Sequence, residues 1–209
     1  VSFDPMAQRV DATRNYDYLS EAGIRQYIAA NQIRMEEFGQ RTAGSLRVNV
    51  IFSHPLPQAE FAAFLRDYDL SVHSYQMRAV ERDGKRVTIA GAPYEGTLVP
   101  EQFMSMALDD ITAHGAAEFK GWIETEVTTV PVQLRKMQLD KRIVAIEVGP
   151  TLILEALTRM ALRQAGATSS TMDKLQNEPD WEVIQISGPS LYWGLEDIGL
   201  VAMPVYSGR

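Results

Sequence analysis

The feature that most limits what this chain can fold into is a pattern that occurs twice. A strand of alternating apolar residues leads through a proline-bearing linker into an amphipathic helix, and a further strand returns. The first copy runs from Leu46 to about Val80 and the second from Ile143 to about Ser187. In the first, Leu46, Val48, Val50 and Phe52 alternate with Arg47, Asn49, Ile51 and Ser53, the period-two signature of a strand with one buried face. After His54-Pro55-Leu56-Pro57, the bulky residues Phe61, Phe64, Leu65 and Tyr68 fall on one side of a short helix. Leu70 to Val80 reads as a strand, and Asp83-Gly84 marks a tight hairpin into Arg86 to Ala90.

The expected class is therefore α+β. A strand-helix-strand-strand unit with the layout of ferredoxin-like modules is joined to a second strand-helix-strand unit. In the second unit Ile143 to Val148 forms the strand, Gly149-Pro150 a turn, Ile153, Leu157, Met160 and Ala161 the helix, and Trp181 to Ile186 the returning strand. Between the units, residues 91–99 read as a loop. Pro100 opens a helix carrying Phe103, Met104, Ala107, Leu108 and Ile111 that ends at His114-Gly115. Trp122 to about Pro131 reads as extended, and the segment from Gly166 to Pro179 is polar. The expected division is an amino-terminal helical segment at 1–44, a βαββ unit at 45–91 and a second α+β unit at 92–209, intertwined with the first in one alternative.

Ahead of the first strand, Asp4-Pro5 has the chemistry of a helix start and Ser20 that of a second one. From Ser20 onward, Ile24, Tyr27, Ile28, Asn31, Met35 and Phe38 recur at three- and four-residue steps, and the opposite face carries Arg25, Gln32, Glu36 and Arg41. A helix lying on its own domain accounts for this stripe. A stalk or dimerisation helix would expose Ile24, Ile28, Met35 and Phe38 to a partner. The other expected interaction surface is the apolar carboxyl end, where Trp181, Tyr192, Trp193 and Tyr206 concentrate aromatic area of the kind that serves either core or interface.

The chemistry-bearing residues are sparse. There are three histidines and no cysteine, so disulfides, thiolate catalysis and thiolate-ligated metals are excluded together. Asp109, Asp110 and His114 share one expected helix, with Asp110 and His114 on the same face. Two ligands make a poor cation site, however, and a solvated helix face accounts for them. His54 in its proline-bracketed loop and His73 in its strand are the remaining general-base candidates if their ends of the fold meet. Glycine spacings that expose a nucleophilic serine or cradle phosphate are absent, which removes the common hydrolases, nucleotide-driven enzymes and dinucleotide dehydrogenases. No cofactor is implied.

A formal net charge of −7, with both signs mixed along the chain, argues against nucleic acid or an anionic membrane surface as partner. No apolar run reaches the roughly 20 residues that span a bilayer, so membrane contact would need a segment outside this sequence. The start at Val1 and the absence of cysteine give the expectation of an exported, extracytoplasmic protein. The function expected from all this is a non-enzymatic interaction or sensor module acting on a protein partner or on a second copy of itself. The alternatives are a structural subunit of an envelope assembly, and an acid-base enzyme using His54, His73 or the Asp109, Asp110 and His114 group.

Overall fold

In this computed structural model the residues described are 2–4, 9–13, 17, 19–93, 105–109, 115, 118–165, 183–187 and 190–207. Their elements follow the order β1 (Ser2–Asp4), β2 (Arg9–Thr13), α1 (Glu21–Gly39), β3 (Leu46–Leu56), α2 (Gln58–Tyr68), β4 (Ser71–Val80), β5 (Arg86–Gly91), β6 (Glu118–Thr129), α3 (Pro131–Met137), β7 (Ile143–Glu147), α4 (Gly149–Ala165), β8 (Val183–Ser187) and α5 (Leu191–Asp197). A short helical stretch also occupies 105–109.

Five strands form an antiparallel sheet in the order β5-β4-β6-β3-β7. Because β3 and β4 both run antiparallel to β6, which lies between them, they are parallel to each other and α2 is their crossover. By the same reasoning α3 crosses from β6 to β7 around β3. The path β3-α2-β4-β6-α3-β7 is the ferredoxin-like β-α-β-β-α-β arrangement, with β5 added at one edge as the second arm of the Asp83-Gly84 hairpin. The α+β class expected from the sequence is the class observed.

The second strand-helix-strand unit is divided between two sheets. β7 joins the large sheet, while β8 pairs in parallel with β2, which pairs antiparallel with β1. Asp4-Pro5 starts no helix at Asp4, since Asp4 lies in β1 and Arg9–Thr13 is a strand. Proline instead opens helices where an apolar period follows it: Pro131 begins α3 and Pro150 sits in the first turn of α4, where a turn was expected. The expected loop at 94–99, the residues Phe103, Met104, Asp110, Ile111 and His114, the 166–179 segment and Trp181 lie outside the described residues.

Each face of the large sheet has its own core. On one, Val48, Val50, Phe52, Tyr75, Met77, Trp122 and Val127 meet Phe61, Phe64 and Leu65 of α2, Leu134 and Met137 of α3, and Ala107. Phe61 stacks on Trp122 at 4.9 Å between ring centroids, and Phe52 stands edge-on to Phe64 at 5.1 Å. Burying each such ring removes enough apolar surface to contribute about 2–3 kcal/mol. On the opposite face Ile51, Ile123 and Ala145 meet Ile24 of α1 and Leu191, Tyr192 and Leu195 of α5. A bulge makes the second core possible. Gln76 pairs with Glu124 and Met77 with Trp122, so Ile123 is the extra residue in β6 and joins Glu124 on the α1 and α5 side.

Ser20 caps α1 by accepting from the Gly23 amide at 3.0 Å, as its position in the sequence suggests. The edge of β3 beyond the end of β7 is closed by a side chain. The Thr151 hydroxyl accepts from the Arg47 amide at 2.8 Å and donates to the Arg47 carbonyl at 2.6 Å.

Candidate functional site

Strand alternation puts Arg47 and Asn49 of β3, Glu124, Glu126 and Thr128 of β6, Ser74 and Gln76 of β4 and Glu147 of β7 on the face opposite the aromatic core. Such residues would ordinarily face water, but α1 and α5 cover them. Asn49, Glu124, Glu126 and Glu147 are all buried. Asn49 bridges two of the carboxylates, donating through Nδ2 to Glu147 at 2.7 Å and to Glu124. Tyr27 of α1 donates its hydroxyl to Glu147 at 2.7 Å, and Ser190, just before α5, donates to Glu124 at 3.1 Å. Arg47 forms an ion pair with Glu126. Burial raises the pKa of Glu126 above its ordinary value, against the pull of Arg47.

A second buried polar group anchors α5 to the outer strands. Arg78 and Glu196 are both wholly enclosed, Arg86 reaches Glu196 at 3.0 Å and Asp197 at 3.1 Å, and Trp193 donates its indole N–H to Thr88 at 2.7 Å. The Arg78 guanidinium lies 4.8 Å from the centre of the Trp193 ring. Tyr192, buried beside them, has its phenol pKa raised by burial and by Glu196.

His54 and His73 are not brought together. His54 stands two residues before Leu56, which pairs with Trp122, whereas His73 contacts the Thr128 hydroxyl at 2.6 Å. Six residues of β6 separate those two positions, about 20 Å at the rise of a strand. Burial, helped by the charge of Arg47, lowers the His73 pKa to about 4. His54 lies 3.1 Å from the Ser53 hydroxyl and 3.7 Å from Glu60, a superficially triad-like set. The Ser53 hydroxyl also meets the Lys141 carbonyl at 2.9 Å, an acceptor that competes with His54 for its single proton. Asp109 is exposed, and among the described residues no group of three or more histidine or carboxylate side chains could hold a metal ion.

Of the expected interaction residues, Ile24, Met35, Phe38 and Tyr192 are buried in this chain's own cores, and Ile28 packs against the second of them. Trp193 is half-buried on Thr88 and the two arginines, and Tyr206 is exposed. The carboxyl-terminal segment is tied to the start of β6 where the Ser207 amide donates to Glu118 at 2.8 Å. Met203 and Val205 beside it are exposed.

One cleft of about 420 Å³ opens where α1 ends and β6 passes into α3. It is lined by Gln40, Arg41, Thr42, Ala43, Val130 and Val132, with Gly44, Pro131 and Arg135 completing it. Val130 and Val132 are 43% and 47% exposed, large values for valine beside a well-filled core. No helix among the described residues is long and apolar enough to cross a membrane. Compared with family models, curated proteins and solved structures, the chain finds no match.

Proposed function

We propose that this chain is a non-enzymatic interaction or sensor module. The observation that carries the reading is the contrast between its polar groups and its cleft. The buried carboxylates are tied to donors of the same chain, and the Ser53 hydroxyl beside His54 is shared with the Lys141 carbonyl. The cleft at residues 40–44 and 130–135 presents cationic and apolar groups to solvent instead. A buried network of this type fixes how α1 and α5 sit on the sheet, which is the work of a scaffold.

A thermal-shift screen against small anions, cations and neutral amphiphiles tests the proposal. A saturable rise in melting temperature supports it through ligand linkage. Turnover of a generic ester or phosphate substrate that disappears in His54→Ala overturns it in favour of an acid-base enzyme. An extracytoplasmic location belongs to the same proposal, to be read by cell fractionation.

A second reading, a structural subunit of a larger assembly, draws on the exposed Met203 and Val205 in a tail pinned to the sheet by Glu118. Light scattering over a range of concentrations separates the two. A stable oligomer that dissociates in Val205→Glu favours assembly, and a monomer at every concentration favours the sensor.

A further inference from the structure

The chain carries 27 acidic and 20 basic residues, yet the lining of its cleft contains two arginines and no acid. Both guanidinium groups are held in place by the fold. Arg41 lies 3.8 Å over the Phe38 ring and forms an ion pair with Glu155 of α4. Arg135 reaches from α3 to donate to the Gly39 carbonyl at the end of α1, a helix with no basic residue of its own in the last turn. Gly39 leaves room for that approach: a Cβ there would stand 3.0 Å from Arg135 Cγ, close enough that the arginine stem would have to shift by a few tenths of an ångström. Each guanidinium has five N–H donors, so the acceptors named here, Glu155 for Arg41 and the Gly39 carbonyl for Arg135, leave donor capacity on two side chains that line the cleft. The opposite wall is the exposed apolar surface of Val130, Pro131 and Val132.

We propose that this cleft binds a small amphiphilic carboxylate, its charged head held by Arg41 and Arg135 and its short apolar chain laid on Val130, Pro131 and Val132. The inference rests on the reading of the chain as a binding module and names the ligand class of its site. A planar carboxylate matches the guanidinium fork. A simple inorganic anion would leave the valine wall wet, and a neutral amphiphile would leave the arginines unanswered.

The test is an amide NMR titration with hexanoate, with hexanol and inorganic phosphate as controls. Hexanoate is expected to shift the Thr42, Gly44, Val130 and Val132 amides saturably, with Kd about 1 mM for so small a ligand. Arg41→Gln and Arg135→Gln should each weaken binding about tenfold. Gly39→Ala, which displaces Arg135 without removing its charge, should weaken it as well, so the result does not depend on either arginine variant folding well. The proposal is overturned if these amides show no saturable shift with hexanoate at about 20 mM, well above that Kd. Equal shifts with hexanol or phosphate overturn it too. Hexanoate failing while another compound from the thermal-shift screen binds ends this inference and leaves the module reading standing. Turnover lost in His54→Ala ends the module reading through a different observable.

Discussion

Arg78 of β4 and Glu196 of α5 are paired without access to water: the arginine donates from Nε to Oε1 at 3.1 Å and from Nη2 to Oε2. Two charges so enclosed are stable only together, because burial disfavours the guanidinium and Glu196 restores it. Arg78→Met should therefore cost about 3–5 kcal/mol by stranding Glu196, with Arg86 as its remaining cation. The double variant Arg78→Met with Glu196→Leu should recover most of that loss. Urea unfolding of the four proteins measures the coupling, and a double variant as unstable as the sum of the two singles would contradict it.

Gly121 sits with φ +140 where β3 crosses β6, and a Cβ there would stand 2.3 Å from the Leu56 carbonyl oxygen. That is backbone against backbone, so no side chain can swing away to make room. Gly121→Ala is expected to lower stability by about 3 kcal/mol or more, through strain at a left-handed position added to the clash. A melting temperature within a few degrees of the parent would mean that the crossing is looser than the geometry implies.

The two readings that failed at prolines show what was legible in the sequence. The strands β3, β4, β5 and β7 and the helices α1 and α2 were visible from their apolar residues, which alternate in β3, run contiguously in β7 and recur at three- and four-residue steps in α1. The rule that proline opens a helix was applied at Asp4-Pro5, where no apolar period follows, and withheld at Pro131 and Pro150, where one does. Of the carboxyl-terminal apolar run, Leu191, Tyr192, Leu195 and Val201 are buried while Leu200, Met203, Val205 and Tyr206 are exposed, and α5 within it was not separable from an extended segment, because only seven residues carry the helical period. The buried polar row was missed for a different reason. Asn49, Glu124, Glu126 and Glu147 alternate with apolar residues as if they faced water, but they lie on the sheet face on which α1 and α5 dock, and all four are buried. The signal was indirect: two further apolar stripes needed a surface, and the second face of the sheet was the one left to cover. The cleft at Arg41 and Arg135 joins residues distant in sequence, so spacing alone carried no sign of it.

His73 gives the stability a calculable dependence on pH. Its folded pKa of about 4 lies below the 6.5 of a free histidine. Above pH 6.5 it is neutral in both states and contributes nothing. As pH falls from 6.5 toward 4, the unfolded chain takes up a proton that the folded chain refuses, so folding loses stability across that window. Allowing for partial exposure, the loss is about 2 kcal/mol. His73→Gln keeps a hydrogen-bonding group near Thr128 and removes the titration. Relative to the parent, it should gain about 2 kcal/mol on going from pH 7 to pH 4 by urea unfolding. A constant difference between the two proteins would show that His73 stays solvated.

Asn49 tests whether the buried carboxylates are held apart or merely tolerated. Its Nδ2 group donates to Glu124 and Glu147 at once, while Tyr27 supplies a second donor to Glu147 from α1. Removing the tyrosine hydroxyl in Tyr27→Phe deletes one donor and should cost about 1–2 kcal/mol. Asn49→Ala deletes two at the centre of the row and should cost about 2–4 kcal/mol. Asn49→Asp replaces a donor with a fourth carboxylate beside Glu124, Glu126 and Glu147 and should be the most destabilising of the three at neutral pH. Ranked by urea midpoint at pH 7, the order of damage is therefore aspartate, alanine, then phenylalanine at 27. If Asn49→Asp proves no worse than Tyr27→Phe, water reaches the row and α1 seals the sheet face less completely than its packing indicates.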